Sequence, residues 1–169
     1  MIQAGTLAEL IERAAGLYPR NVAYIWRPLY RARRFTYADV YSMARGAAAL
    51  LEDNSIGPGD RVLLWAVNSP FWVAAFFGCL YANVVPIPLY PPRLNQSLSR
   101  VVSIVEDAEA TIGLTNEATL KRIQPMIDQT PGLRELAWVP TSELPPGQED
   151  RWERPDVNAV VHTHQTYGS

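Results

Sequence analysis

Apolar residues recur at Leu7, Leu10, Ile11, Ala14 and Leu17, the three-and-four spacing that lays one apolar stripe along a helix. Thr6 precedes the run and Glu9 follows three places later. That spacing predicts a capping box, with Thr6 capping and Glu9 reaching back. Asn21–Trp26 predicts a short strand, and the polar, basic stretch 27–34 predicts a turn or hairpin. Thr36 then caps a second helix that turns Val40, Tyr41, Ala44, Ala47, Ala48 and Leu51 to its buried side.

The turn Gly57-Pro58-Gly59-Asp60 stops the periodicity. Arg61–Ala66 follows as an apolar run of the kind that suits a strand covered on both faces, as in a parallel sheet. Ser69 caps and Pro70 opens a helix over 71–81 that is apolar nearly all round, which predicts a deep-core element. Val84–Ile87 predicts a short strand, and Pro88–Arg93 an extended loop stiffened by proline. Leu98, Val101, Val102, Val105 and Ala108 mark an amphipathic helix. Ala110–Leu114 predicts a strand, Glu117–Ile127 a helix weakened by Pro125, and Leu136–Val139 a last strand. The polar, proline-rich stretch 140–156 predicts an exposed loop or linker. Alternating strands and helices make an α/β fold, a mostly parallel sheet flanked by helices.

Composition narrows the function classes. The chain has 169 residues, enough for one domain, and its 48% hydrophobic content describes a globular chain rather than a disordered one. A net charge of −2 supplies no field to recruit nucleic acid or an anionic membrane. The four arginines between 27 and 34 have no repeating aromatic platforms beside them, so they predict a solvated connection. From Val62 to Pro92 there is no charge at all. The longest helix that the prolines allow there, 71–85, is roughly 22 Å long at 1.5 Å per residue. A bilayer core needs about 30 Å, so no membrane span is expected. The single cysteine, Cys79, sits among Phe76, Phe77 and Leu80 and predicts a buried small hydrophobe. With no partner for a disulfide and no basic-then-apolar leader at Met1–Leu10, a cytoplasmic location is expected.

Candidate chemistry is sparse. No glycine-rich phosphate loop of either common form is present, and Pro58 removes a donor from the one dense glycine turn. No G-x-S-x-G elbow occurs. His162 and His164 would share one face of a strand, but no third ligand stands near them, and no metal site is expected. Asp107 and Glu109 are read as solvated surface at a helix end, and Lys121, the sole lysine, as a solvated residue beside Arg122.

Gly59-Asp60-Arg61-Val62, Asn68-Ser69 and the helix segment Ala75–Ala82 resemble the superfamily of adenylate-forming enzymes. Pro86-Ile87-Pro88-Leu89-Tyr90-Pro91-Pro92-Arg93, Ser97-Leu98-Ser99-Arg100, Asp107-Ala108 and Thr36-Tyr37 resemble the fatty acyl-AMP ligase branch. The similarity covers Thr6–Pro155. It implies the front part of an N-terminal domain. Such enzymes activate a fatty acid with ATP as an acyl-adenylate and pass the acyl group to a carrier protein, while related ligases use coenzyme A.

One departure stands out. The family grips ATP phosphates with a Ser/Thr/Gly-rich loop ending in Pro-Lys-Gly, which brings amide donors and a cation to a polyanion. Here Trp152 and Pro155 resemble the approach to that loop, but no Pro-Lys-Gly follows. The tail Val160–Gln165 resembles the segment beyond it; in a second alignment, Gln165–Ser169 is a defective start of the loop.

The resemblance therefore implies a partial N-terminal domain over 1–169, inactive by itself, with no catalytic residue to carry over and no cofactor expected in this chain. ATP, magnesium, a fatty acid and an acyl carrier protein would belong to the full-length parent. The alternative is a stand-alone module without catalysis that binds lipid or protein through the Phe71–Tyr81 region. A homo-oligomer formed through uncovered apolar faces is a related expectation. Arg93, held by Pro91-Pro92, is the one residue singled out for an anionic ligand, the alternative being an arginine on an exposed loop.

Overall fold

A computed structural model describes residues 4–28, 31–66, 69–90 and 97–141. The apolar run at 61–65 becomes a central strand because neighbours cover both of its faces. Strand β3 (Arg61–Trp65) lies between β4 (Val85–Leu89) and β5 (Ile112–Asn116), and β6 (Ala137–Thr141) pairs with β5. All four are parallel in the order β4-β3-β5-β6. Val62, Leu63, Leu64 and Trp65 are completely buried. Removing each of those leucines from water contributes roughly 1.5–3 kcal/mol.

Alternation along β3 splits the core in two. Val62 and Leu64 face one layer, made by α1 (Leu7–Leu17), α2 (Tyr37–Asp53) and α3 (Pro70–Tyr81). Leu63 and Trp65 face the other, made by α4 (Ser99–Asp107), α5 (Glu117–Asp128) and the single turn α6 (Pro131–Arg134). The remaining strands, β1 (Val22–Trp26) and β2 (Arg33–Thr36), form a separate antiparallel pair ahead of α2, with Tyr24 stacked on Phe35 at 4.9 Å.

Local chemistry sets most helix starts. The Thr36 hydroxyl accepts from the Asp39 N–H at 3.2 Å while the Asp39 carboxylate accepts from the Thr36 N–H at 2.8 Å, a complete capping box. Ser69 accepts from the Trp72 N–H at 3.2 Å, with Pro70 at the first helical position.

Several expectations change. Thr6 caps α1 as predicted, but Glu9 reaches past it and accepts from the Gly5 N–H at 2.7 Å, while also meeting Arg13. The stretch 27–34 contributes Arg33 and Arg34 to β2, and Arg33 lies over the Phe35 ring. The strand predicted at Val84–Ile87 runs over Val85–Leu89 and takes in Pro88, which an edge strand tolerates. The aromatics of α3 divide, with Tyr81 in the deep core as expected and the other four less buried. Ala74, Ala75, Gly78 and Cys79 are buried, whereas Phe71, Trp72, Phe76 and Phe77 are half-buried along its flank. The helix α6 was not foreseen, and the last strand extends through Pro140 and Thr141, the first residues of the predicted loop. The remainder of that loop, 142–156, lies outside the described residues.

Candidate functional site

The strand order reverses beside β3. The chain passes from β3 through α3 on one face of the sheet to β4, and from β5 through α5 on the other face towards β6. Neighbouring strands whose following helices leave to opposite sides open a crevice at their carboxyl ends, and ligands of open α/β sheets bind there. A cavity of about 470 Å³ occupies that place in this fold.

Its floor is formed by the starts of the two helices. Ser69, Pro70 and Phe71 come from the turn into α3; Asn116, Glu117 and Ala118 come from the turn into α5. Asn116 accepts from the Thr119 N–H at 2.8 Å and so caps α5 as Ser69 caps α3. Each cap satisfies one first-turn amide, and both helices bring their positive ends to the crevice. The hairpin supplies the remaining wall through Trp26 and Arg33.

Side-chain bonds hold the strand ends beneath. The Thr115 hydroxyl donates to the Trp65 carbonyl at 2.7 Å, and the Trp65 indole N–H donates to the Tyr90 carbonyl at 2.9 Å. These bonds tie β5 to β3 and β3 to the end of β4. Among its described residues the cavity thus combines aromatic walls, a guanidinium and a carboxylate on a fixed floor. It can hold a ligand with a polar end and a flat or apolar body. Among the described residues that line it there is no lysine, histidine or cysteine.

Arg93, His162, His164, Trp152 and Pro155 lie outside the described residues. Lys121 is exposed on α5, as read from the sequence. Glu109 pairs with Arg61 at 2.6 Å at the opposite end of the sheet, where β3 begins, so it takes no part in the crevice. Cys79 is completely buried, and burial pushes its thiol up to about 12. Burial likewise raises the Tyr24 phenol to about 12. Tyr81 is raised too, again chiefly by burial, and its hydroxyl donates to the Ala8 carbonyl at 2.9 Å. Among the described residues no group of three His, Cys, Asp or Glu side chains could hold a metal ion.

Trp26, Arg33, Asn116 and Glu117 were not singled out from the sequence as site residues, whereas Phe71 begins the stretch named for lipid or protein binding. Asn116 carries a signal that could have been used, an asparagine at the junction of a strand and a helical run. Phe71 and Glu117 meet because β3 and β5 are neighbours, and Trp26 and Arg33 join them because the hairpin folds over the sheet.

A family model described as AMP-binding enzyme matches residues 11–166. The medium-chain-fatty-acid–[acyl-carrier-protein] ligase JamA of Moorena producens is 29% identical over 138 residues, 79% of this chain and 23% of that protein. The long-chain-fatty-acid–AMP ligase FadD23 of Mycobacterium tuberculosis is 24% identical over 144 residues, 82% of this chain and 24% of that protein. The chain thus spans about a quarter of the length of these curated relatives. The crystal structure of fatty acyl-adenylate ligase from L. pneumophila, in complex with acyl adenylate and pyrophosphate, matches with a TM-score of 0.81. That match covers 95% of this chain and 28% of the other at 24% identity, a likeness of fold.

Proposed function

This chain belongs to the AMP-binding enzyme family, and we propose that it is part of the N-terminal domain of a ligase that activates a fatty acid with ATP as an acyl-adenylate. The observation that carries this reading is the family match over 11–166, supported by relatives whose names specify fatty acids. The crevice at the strand ends agrees with it, because it offers a polar floor and aromatic walls in a fold of this type.

The acyl acceptor in this proposal is a carrier protein, the acceptor that the name of the Moorena producens relative specifies. Coenzyme A is the competing acceptor. The single buried Cys79 suits a reducing, cytoplasmic setting.

This chain contributes scaffold rather than chemistry. Among the described residues no group of three His, Cys, Asp or Glu side chains could hold a metal ion, and the only lysine of the sequence is exposed on α5. The sequence after Pro155 brings no Pro-Lys-Gly to a triphosphate. ATP and magnesium are therefore assigned to a larger protein, and this chain alone is proposed to be inactive.

The test is fatty-acid-dependent release of pyrophosphate, measured on this chain with ATP, magnesium and medium- and long-chain fatty acids. No release and no ATP heat signal by calorimetry are expected. Formation of acyl-adenylate by the chain alone would overturn the assignment of chemistry to another part of the protein. An open reading frame beyond Ser169 that encodes a phosphate loop and further domains would support the ligase reading; a downstream sequence unrelated to this family would sink it.

A further inference from the structure

Helix α1 is held by little apolar surface. Its buried residues are Ala8, Glu9, Ala14 and Ala15, while the large side chains Leu7 and Leu17 are exposed and Leu10 and Ile11 are half-buried. Three alanines remove far less area from water than a stripe of leucines would. A helix of 11 residues is also marginal alone in water, so α1 keeps its form only while it is docked. Among the described residues it packs chiefly on α2 and α3. Those two helices hold one another by their own close contact, with Gly78 of α3 against Ala47 of α2.

The two ends of α1 are tied differently. Just beyond its C-terminal end, the Tyr37 N–H donates to the Asn21 carbonyl at 3.1 Å and the Ala38 N–H to the Pro19 carbonyl at 3.2 Å. Those backbone bonds fix residues 19–21 to the start of α2. Near the other end, the buried Tyr81 hydroxyl of α3 donates to the Ala8 carbonyl at 2.9 Å. The bonds that Thr6 and Glu9 make there, to the Glu9 and Gly5 N–H groups, belong to the helix's own first turn and move with it.

We propose that α1 is a strap, hinged at Tyr18–Pro19 and fastened by the Tyr81 hydroxyl, which lifts from α2 and α3 as a unit while the sheet and its other helices stay folded. Elements held by few buried apolar contacts are the ones that open below the free energy of global unfolding. This inference is independent of the proposed function.

Native-state hydrogen exchange on the full chain tests it, read at the amides of residues 11–17 in α1 and 62–65 in β3. In the parent chain the α1 amides should exchange at least about tenfold faster than those of β3. Tyr81→Phe keeps the ring and removes the hydroxyl, and should speed the α1 amides about fivefold, the factor for one net hydrogen bond. Ile123→Val trims the core on the opposite face of the sheet. It should speed the β3 amides and leave those of α1 unchanged, because that core is intact whether the strap is open or closed. Equal acceleration of α1 and β3 by Ile123→Val would mean that α1 opens only with the whole chain, and would overturn the proposal. Amides of α1 that do not respond to Tyr81→Phe would overturn it too, since Tyr81 would then fasten nothing. Loss of the fold in Tyr81→Phe also counts against it, because releasing the fastener must leave the sheet folded; the parent chain and Ile123→Val still decide whether α1 opens by itself.

Discussion

A Cβ placed on Gly78 would lie 2.4 Å from the Cβ of Ala47, so α3 and α2 meet where neither can carry a larger side chain. The Ala44 carbonyl oxygen and the Ala48 nitrogen would each lie 3.0 Å from the same Cβ. The small residues Ala44, Ala47 and Ala48, each almost completely buried, let the helices close on one another.

Gly78→Ala is therefore expected to destabilise the fold although alanine is the better helix former. The propensity gain is about 1 kcal/mol, while forcing backbone apart in a packed layer costs about 1–3 kcal/mol. A net loss of up to about 2 kcal/mol is expected, towards the upper end because the clash is with backbone as well as a methyl group. Urea unfolding measures it, and adding Ala47→Gly should recover part of the loss. An unchanged midpoint in the single variant would refute the close approach.

Gly113 has the same role on the other face of the sheet. A Cβ there would lie 2.6 Å from the Trp138 indole, which is held by a bond from its N–H to the Leu133 carbonyl at 2.9 Å. Trp138 also packs on Trp65, with ring centroids 5.5 Å apart. Gly113→Ala should displace the indole at a cost of about 1–3 kcal/mol and shift the tryptophan emission. Unaltered emission together with unaltered stability would count against this packing.

The capping box at Thr36 should be worth about 1 kcal/mol, the usual loss when a threonine cap becomes alanine. Thr36→Ser keeps the hydroxyl and should retain most of that stability. Thermal unfolding of the two variants separates them. Equal losses in both would place the contribution in the threonine methyl instead.

Alkaline pH should weaken the fold. Cys79 and Tyr24 have folded pKa values near 12, above their reference values of 9.0 and 10.0. As the pH climbs from about 9 towards 12, the unfolded chain loses protons that the folded chain retains. The unfolding free energy therefore falls with rising pH over that window, and this contribution is complete below it. Cys79→Ala should flatten the early part of the fall and leave the tyrosine part. Urea midpoints measured from neutrality to about pH 11 test the sign; a flat profile would contradict it.

Much of the fold was legible along the chain because its signals are local. The caps at Thr6, Thr36 and Ser69 lie beside the runs they start, and the helical spacing from Leu7 to Leu17 needs only its own neighbours. The extent of β4 was misjudged for a physical reason. Pro88 ends a strand unless its missing N–H faces outward, and that depends on which neighbours β4 has. The half-buried flank of α3 was equally hidden, since a helix apolar all round does not say which face its neighbours leave uncovered. Arg93 and the two histidines lie outside the described residues.

The amino-acid sequence alone determined the alternation of strands and helices, most of their starts and the resemblance to adenylate-forming enzymes, because periodicity, capping and turn chemistry act within a few residues. Only the tertiary structure decided that β3 has β4 and β5 on its two sides, that α3 and α5 leave to opposite faces, and that Trp26 and Arg33 close over the gap between them. Those relations come from contacts between segments far apart in the chain, where burial and backbone pairing select among arrangements that the local pattern permits equally.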